Sequence, residues 1–390
     1  MDSKYITYIG VDDVDIDLFE SQYVVPEGMC YDSYLVKGDR IAVMDTVDAR
    51  MAGEWMAKLS AALGGRKPDY LVLQHMEPDH SGAVMAFLNE YPDTTIVCSQ
   101  QAATFLLQFN ETLRAEIRTV KEGDCLELGE GAELQFIAAP MVHWPEVMMT
   151  WFAAEKTLFS ADGFGKFGVY DADPDDWACE ARRYYFNICG KYGAQVAKVL
   201  QKAAGLDIQR ICPLHGPVLT GDRLAEAVRL YIVWSSYKPE TPEGILIAYA
   251  SIHGNTAAAA RRLGHILEAK GAPKVAVTDL CRDDVAEAIA DAFRMGTMVL
   301  ACSTYDGGIF PPMKCFLDKL AMKGFCDRRV ALVENGTWAP LAAKLMRASL
   351  ESMKSIDILD RTLTIKSSLK ESQLPELVAL ADLLLTPSSR

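Results

Sequence analysis

Apolar and polar positions follow two different rhythms along this chain. Up to about residue 240, short β-type runs come first and helical stretches are interposed between them. Runs at 31–36 and 41–47 flank Lys37-Gly-Asp-Arg, the pattern of a β-hairpin. Residues 50–63 show helical periodicity and stop at Gly64-Gly65. The apolar run 70–73 ends in His75-Met76-Glu77-Pro78-Asp79-His80. Pro78 disrupts both a regular helix and a central strand, so this knot is expected to be a loop. Ser81 is placed to cap the Ala/Met/Phe/Leu-rich helix that follows. A strand at 94–98, a helix at 100–109, β segments between 117 and 159, a helical region at 174–204 and a strand at 208–212 complete this half. That order predicts two sheets covered by helices, an αββα sandwich.

The segment 235–244, with Pro239 and Pro242 among polar residues, reads as a short stiff connector. The domain boundary is expected there, giving domains 1–240 and 241–390. Beyond it, strands at 245–250, 275–278, 298–302 and 330–333 alternate with helices at 256–270, 284–293, 313–322 and 340–353. This is the rhythm of a doubly wound parallel sheet.

Composition narrows the function classes. At 390 residues the chain is long for a single core, which agrees with two domains. A formal net charge of −14 without a basic stripe disfavours a nucleic-acid partner. No apolar run reaches membrane-spanning length. The N-terminus, Met1-Asp-Ser-Lys-Tyr, has no basic segment followed by an apolar signal core, so a cytoplasmic location is expected. The ten cysteines form no C-x-x-C pair, which argues against a zinc ribbon or a rubredoxin-like iron site and fits reduced thiols.

Histidine is scarce, with six in the chain, so each can be placed. His75 and His80 lie on the knot after the run 70–73. His143 (in Pro140-Met-Val-His-Trp-Pro), His215 (in Cys212-Pro-Leu-His-Gly-Pro) and Asp162 (in Ser160-Ala-Asp-Gly-Phe-Gly) follow predicted strands, where a rigid base holds ligating groups. A single histidine at such a junction is more often structural; this many together point to metal. The pattern resembles the metallo-β-lactamase superfamily, whose loop is H-x-H-x-D-H with later His, Asp and His ligands. Glu77 stands where its zinc hydrolases carry His. With that carboxylate, H-x-E-x-D-H…H…D…H resembles the diiron core of flavodiiron proteins, and the added hard oxygen donor suits an iron pair. The resemblance implies one iron on His75, Glu77 and His143, a second on Asp79, His80 and His215, and Asp162 bridging them.

The turn Ser251-Ile-His-Gly-Asn-Thr, between the first strand and first helix of the second domain, offers hydroxyls and backbone N–H groups at a helix N-terminus, a cradle for phosphate. It is neither a Walker loop nor G-x-G-x-x-G. It resembles the flavodoxin FMN-phosphate loop, with Ser251, His253, Gly254, Asn255 and Thr256 at matching places; Ala250 departs from a position that is often polar. Two further loops leave strand ends: Ser303-Thr304-Tyr305-Asp306-Gly307-Gly308 and Asn335-Gly336-Thr337-Trp338. Trp338 and Tyr305 are placed to lie against an isoalloxazine, and Gly307, Gly308 and Gly336 let the backbone approach it. His265, inside an alanine- and arginine-rich helix, reads as a surface or semi-buried structural residue.

The fold class is therefore expected to be α/β: a metallo-β-lactamase-like αββα sandwich followed by a flavodoxin-like parallel sheet. The resemblance to flavodiiron proteins covers nearly the whole chain and corresponds to their two-domain type. It implies reduction of dioxygen to water and/or nitric oxide to nitrous oxide, with two irons and FMN as cofactors. Trp144, Tyr23, Met148 and Phe164 are candidates to line the pocket. The resemblance also implies a separate rubredoxin or flavin reductase as electron donor, and a head-to-tail homodimer or dimer of dimers. Two rival readings remain: a zinc hydrolase with an attached electron-transfer domain, disfavoured by Glu77, and a non-catalytic electron carrier, disfavoured by the intact ligand set.

Overall fold

The computed structural model describes residues 3–129, 131–170 and 177–386. The chain divides into two compact units, Met1–Ile232 and Val233–Arg390, and the helix Gly221–Ser235 runs through the division point.

The first unit is an αββα sandwich. One six-stranded sheet has the order Ile6–Tyr8, Tyr34–Lys37, Ile41–Met44, Tyr70–Leu73, Thr95–Ser99, Ile117–Val120. The other has the order Cys125–Gly129, Ala132–Ala138, Met148–Phe152, Thr157–Phe159, Arg210–Cys212, Leu219–Thr220. Their facing residues form one core, in which Val36, Met44, Val72 and Val97 of the first sheet join Leu134, Phe136, Phe152 and Phe159 of the second. Each such side chain contributes on the order of 2 kcal/mol by leaving water. The strands Ile41–Met44 and Tyr70–Leu73 are buried along their whole length, which is why both read as unbroken apolar runs. The hairpin forms as expected, with Lys37 opposite Ile41. The helix Ala52–Leu63 ends on Gly64, whose φ of 57° supplies the left-handed cap.

Three local expectations are corrected. Pro78 does not leave the ligand knot a loop: it occupies the first position of a short helix, Pro78–Ser81, where the missing N–H costs nothing. Ser81 closes this turn instead of capping the next helix; its hydroxyl donates to Met76 O and Glu77 O, and the following helix begins at Val84. The helical region 174–204 is two helices, Trp177–Ile188 and Gly193–Ala203, separated by a 3-10 turn at Gly190–Tyr192; residues 174–176 lie outside the described ones.

In the second unit five parallel strands have the order Val275–Asp279, Thr241–Ala250, Met295–Tyr305, Arg329–Asn335, Asp357–Ile365. Helices between them complete a doubly wound, flavodoxin-like sheet. The first strand starts at Thr241, so Pro242 lies within it, at a register irregularity between Thr241 and Ile245 where one ladder bond is dispensable. Gly296 answers it: a Cβ there would sit 2.0 Å from Pro242 O. The fifth strand and the helix Leu374–Leu385 were not foreseen, because Asp357–Ile365 mixes exposed Asp360 and Arg361 into its run and lacks a clean apolar signal.

Arg328 ties this unit together at the foot of its sheet. Its guanidinium, with the residue 2% exposed, donates to the carbonyls of Met295, Tyr237, Cys326, Asp327 and Phe293. Burial pulls its pKa down to about 10, so it stays charged at neutral pH. Arg328→Leu removes the donors and leaves buried carbonyls unpaired. It is expected to destabilise the second unit by about 3 kcal/mol, read as a lowered midpoint in urea unfolding.

Candidate metal and flavin sites

The metal-type residues converge on one end of the sandwich. His75 leaves the strand Tyr70–Leu73, Asp162 follows Thr157–Phe159, and His215 follows Arg210–Cys212. His75, Glu77, His143 and Asp162 bring ligating atoms within 4.8 Å of one another, and so do Asp79, His80 and His215. In the first group, Nε2 of His75 and of His143 lie 3.2 and 3.1 Å from Asp162 Oδ2, and 3.3 and 2.9 Å from Glu77 Oε2. In the second, Nε2 of His80 and of His215 lie 3.3 and 3.2 Å from Asp79 Oδ2. Asp162 faces both groups, because its Oδ1 is 3.2 Å from His80 Nε2.

Residues beside the ligands fix their orientation. His75 Nδ1 is 2.8 Å from Glu146 Oε1, which also accepts the Met76 N–H at 2.9 Å. His215 Nδ1 donates to the Cys30 carbonyl at 2.7 Å. In each case the outer nitrogen is occupied and Nε2 is left to face the centre. Asp45 and Thr46, at the end of the strand Ile41–Met44, clamp the ligand knot from both sides. Asp45 accepts from Gln74 N, Gln74 Nε2 and His75 N, while Thr46 donates through N–H and hydroxyl to His80 O. None of Glu146, Asp45 or Cys30 was singled out in the sequence. Glu146, three residues after His143, had the only local signal: an acid within a ligand-bearing loop.

Of the expected pocket residues, Trp144 packs edge-on against His75, with ring centroids 5.3 Å apart. Met148 belongs instead to the core between the sheets, because its strand turns that face inward. Phe164 stacks on Tyr231, and the Tyr23 hydroxyl donates to Asn187 O. The rings that wall His215 are Phe19, Tyr31 and Tyr184.

The electrostatics fit a metal pair. Burial alone would push the imidazoles down, yet the carboxylates outweigh it. His143, beside Asp162 and Glu77, and His215, beside Asp79 and Asp162, are each held up at about 9. Burial pushes Glu77 up, but His143 and His75 draw it down to about 2. His80 and His215 point Nε2 at each other across 3.0 Å, and neither Asp79 oxygen receives a hydrogen bond. Protons alone balance these charges; cations at the two foci would do so with one donor atom of each residue close by. Four imidazoles and three carboxylates are a donor set for iron, manganese or zinc, with the extra carboxylate favouring the harder ions.

In the second unit a cavity of about 500 Å³ opens at the carboxyl ends of the parallel strands, a size usual for small-ligand pockets. Ser251, His253, Asn255, Thr256, Ser303, Thr304, Tyr305, Asp306, Gly307, Asn335, Gly336, Thr337 and Trp338 line it. Gly254 and Gly308 do not line it. Gly254 is the N-cap of the helix Asn255–Ala269, at φ 86°, and no side chain caps that helix, so its N-terminus is open to an anion. Gly308 forms a short ladder with Tyr305 behind the loop. Thr256 and Ser303 hydroxyls are linked at 2.9 Å on the cavity floor. Trp338 is 90% exposed, an indole standing in water beside an open cavity, which fits a planar partner. Ile252, Leu341 and Ser367 also line the cavity and were missed, since the first two are apolar and Ser367 comes from the unforeseen fifth strand's loop. His253 and His265 are both exposed.

A sandwich with a metal-type centre, followed by a flavodoxin-like sheet with a flavin-sized cavity, defines a two-domain redox protein. The comparisons agree. The model of the ODP family of beta lactamases matches residues 30–216. The anaerobic nitric oxide reductase flavorubredoxin of Vibrio vulnificus is 27% identical over 88% of this chain and 71% of its own. The rubredoxin oxygen:oxidoreductase of Desulfovibrio gigas superposes with a TM-score of 0.91 at 25% identity, over 98% of this chain and 96% of that one. The flavodiiron protein of Giardia intestinalis gives 0.92 at 24% identity, over 97% and 94%. The chain is similar over nearly its whole length to flavodiiron proteins, oxidoreductases that carry FMN and a diiron centre.

Two predictions follow from the site geometry. Metal binding requires neutral imidazoles, and in the metal-free protein His143 and His215 stay protonated up to about pH 9. Loading at pH 7 is therefore expected to release protons, and affinity to rise with pH until about 9. Calorimetry in buffers of different ionisation enthalpy measures this, and proton-free loading would contradict it. By the same linkage, the stability these imidazoles lend the metal-free protein is full below about pH 6.5 and is lost as pH rises through their folded value. For the flavin cavity, Asn255→Ala with Thr256→Ala is expected to lose FMN, and Trp338→Ala to shift its potential. Stoichiometric FMN with an unchanged potential in both would remove these loops from the flavin site.

Proposed function

We propose that this chain reduces dioxygen to water and/or nitric oxide to nitrous oxide, with the seven convergent residues as the ligands of its diiron centre. On this reading His75, Glu77 and His143 would hold one iron, Asp79, His80 and His215 the other, and Asp162 would serve both. The observation that carries it is the way the two oxygens of Asp162 face two separate donor groups, one of which includes Glu77. When both groups are bound, the iron pair and the reduced flavin supply two electrons each, the four that dioxygen needs.

The chain's own residues prepare that chemistry. Glu146 and the Cys30 carbonyl keep Nε2 of His75 and His215 aimed inward, so the centre does not reorganise as its charge changes. Trp144, Phe19, Tyr31 and Tyr184 pack their rings against the imidazoles and hold them in place. In the second domain, taken as 241–390, the open helix N-terminus at Asn255 and the Thr256 and Ser303 hydroxyls would hold the FMN phosphate. Trp338 and Tyr305 would lie against its ring.

A separate rubredoxin or flavin reductase would serve as donor; both the flavorubredoxin and the rubredoxin oxygen:oxidoreductase carry rubredoxin in their names. The working unit is a head-to-tail homodimer or a dimer of dimers, in which each chain's flavin serves its partner's irons. Mixing a flavin-loop variant with a ligand variant, each inactive alone, is expected to restore activity under subunit exchange. Full activity of an isolated monomer would contradict it.

Anaerobic reduction followed by parallel turnover with each gas tests the reaction. Consumption of at least one gas, with iron and FMN bound, is expected, and Glu77→Ala should lose both iron and turnover. Zinc in place of iron, with hydrolysis of a thioester or phosphodiester, would overturn the reading.

A further inference from the structure

A second cavity, of about 430 Å³, leads from the surface of the first unit to the metal-type residues. Six carboxylates line it: Asp15, Asp17, Glu20 and Asp48 along its walls, and Glu77 and Asp79 at its inner end. Its one lining cation, Arg50, is neutralised in place, 3.1 Å from Asp13 Oδ2 and 3.0 Å from Asp48 Oδ1. At the inner end Asp79 is 8% exposed, and neither of its oxygens receives a hydrogen bond, although Oδ2 lies 3.2 Å from His215 Nε2. Burial and the like charges of Glu77 and Asp79 push the Glu20 carboxyl up, which marks a negative potential along the wall.

We infer that this acidic vestibule is the path by which divalent metal ions enter the site, with Asp17 and Glu20 collecting the ion and Asp79 receiving it. The inference rests on the ligand assignment above, and it deepens that reading by adding a role for residues that ligate neither iron. Its physical basis is focusing. Low-dielectric walls carrying one sign of charge concentrate a counter-ion and raise its capture rate. A neutral gas gains nothing from such a lining. A dication does gain, and the path ends on a buried carboxylate whose oxygens lack hydrogen bonds. Asp48 serves differently: it accepts the Arg50 N–H and holds that side chain, so it is left intact in the test.

The experiment uses metal-free, full-length protein and anaerobic ferrous ion, with Co²⁺ as a second, spectroscopically visible probe. Rapid mixing gives the loading rate, and exhaustive equilibration gives the final stoichiometry. Asp17→Asn combined with Glu20→Gln is expected to load about tenfold more slowly than wild type at low ionic strength, to reach the same stoichiometry, and to converge on the wild-type rate in high salt. Glu111→Gln, an exposed charge outside the lining, is expected to load at the wild-type rate. Wild-type loading kinetics in the double variant would overturn the vestibule while leaving the ligand assignment standing. Wild-type protein that takes up fewer than two ions per chain would overturn that assignment, and the vestibule with it.

Discussion

Three carboxylates and four imidazoles held a few ångströms apart under the surface are the constraint around which the first unit is built. At an effective dielectric of about 20, two like charges 4 Å apart repel by about 4 kcal/mol, so such a cluster cannot be left to find its own geometry. His75, Asp162 and His215 therefore follow strand ends in a tightly packed sandwich, and the others sit on the short turn and loop beside them. The strands Ile41–Met44 and Tyr70–Leu73, buried throughout, supply the rigid base, and Asp45 and Thr46 pin the knot carrying His75 and His80. The helical turn at Pro78 serves the same end: it turns Asp79 and His80 toward one focus and Glu77 toward the other within six residues.

The flavin side solves the opposite problem. Its ligand is large, partly anionic and planar, so its cavity stays open and its lining combines hydroxyl and amide groups with a single carboxylate, Asp306. The sheet places three loops side by side at strand ends, and the helix N-terminus at Asn255 supplies positive potential without a lysine or arginine. The indole of Trp338 stands exposed on the lining of that cavity. The two units thus differ by physical type: one gathers compact charge beneath its surface, the other opens a broad polar cavity at its strand ends.

Glu146 and the Cys30 carbonyl show why the ligands alone do not define the centre. An imidazole has two nitrogens, and only a partner on the outer one decides which faces inward. One of these partners is a side chain in a ligand loop and the other is a backbone carbonyl 185 residues away from His215.

The sequence by itself determined what depends on local chemistry. The hairpin around Lys37-Gly-Asp-Arg, the helix ending on Gly64, the four early strands and helices of the second unit, and the two clusters of ligating and phosphate-type residues are all carried by short-range patterns: periodicity, glycine, and residue types crowded at strand ends. Tertiary structure decided the rest. Whether Pro78 broke a helix or began one depended on the turn it joined, and whether Met148 faced a pocket or the core depended on which side of its strand met the other sheet. The partners Asp45, Glu146 and Cys30, and the acidic walls at Asp17 and Glu20, have no signature in their own neighbourhoods. They acquire a role only when strands distant in sequence are brought edge to edge, because a hydrogen bond or an electric field acts over ångströms in space, not over positions in the chain.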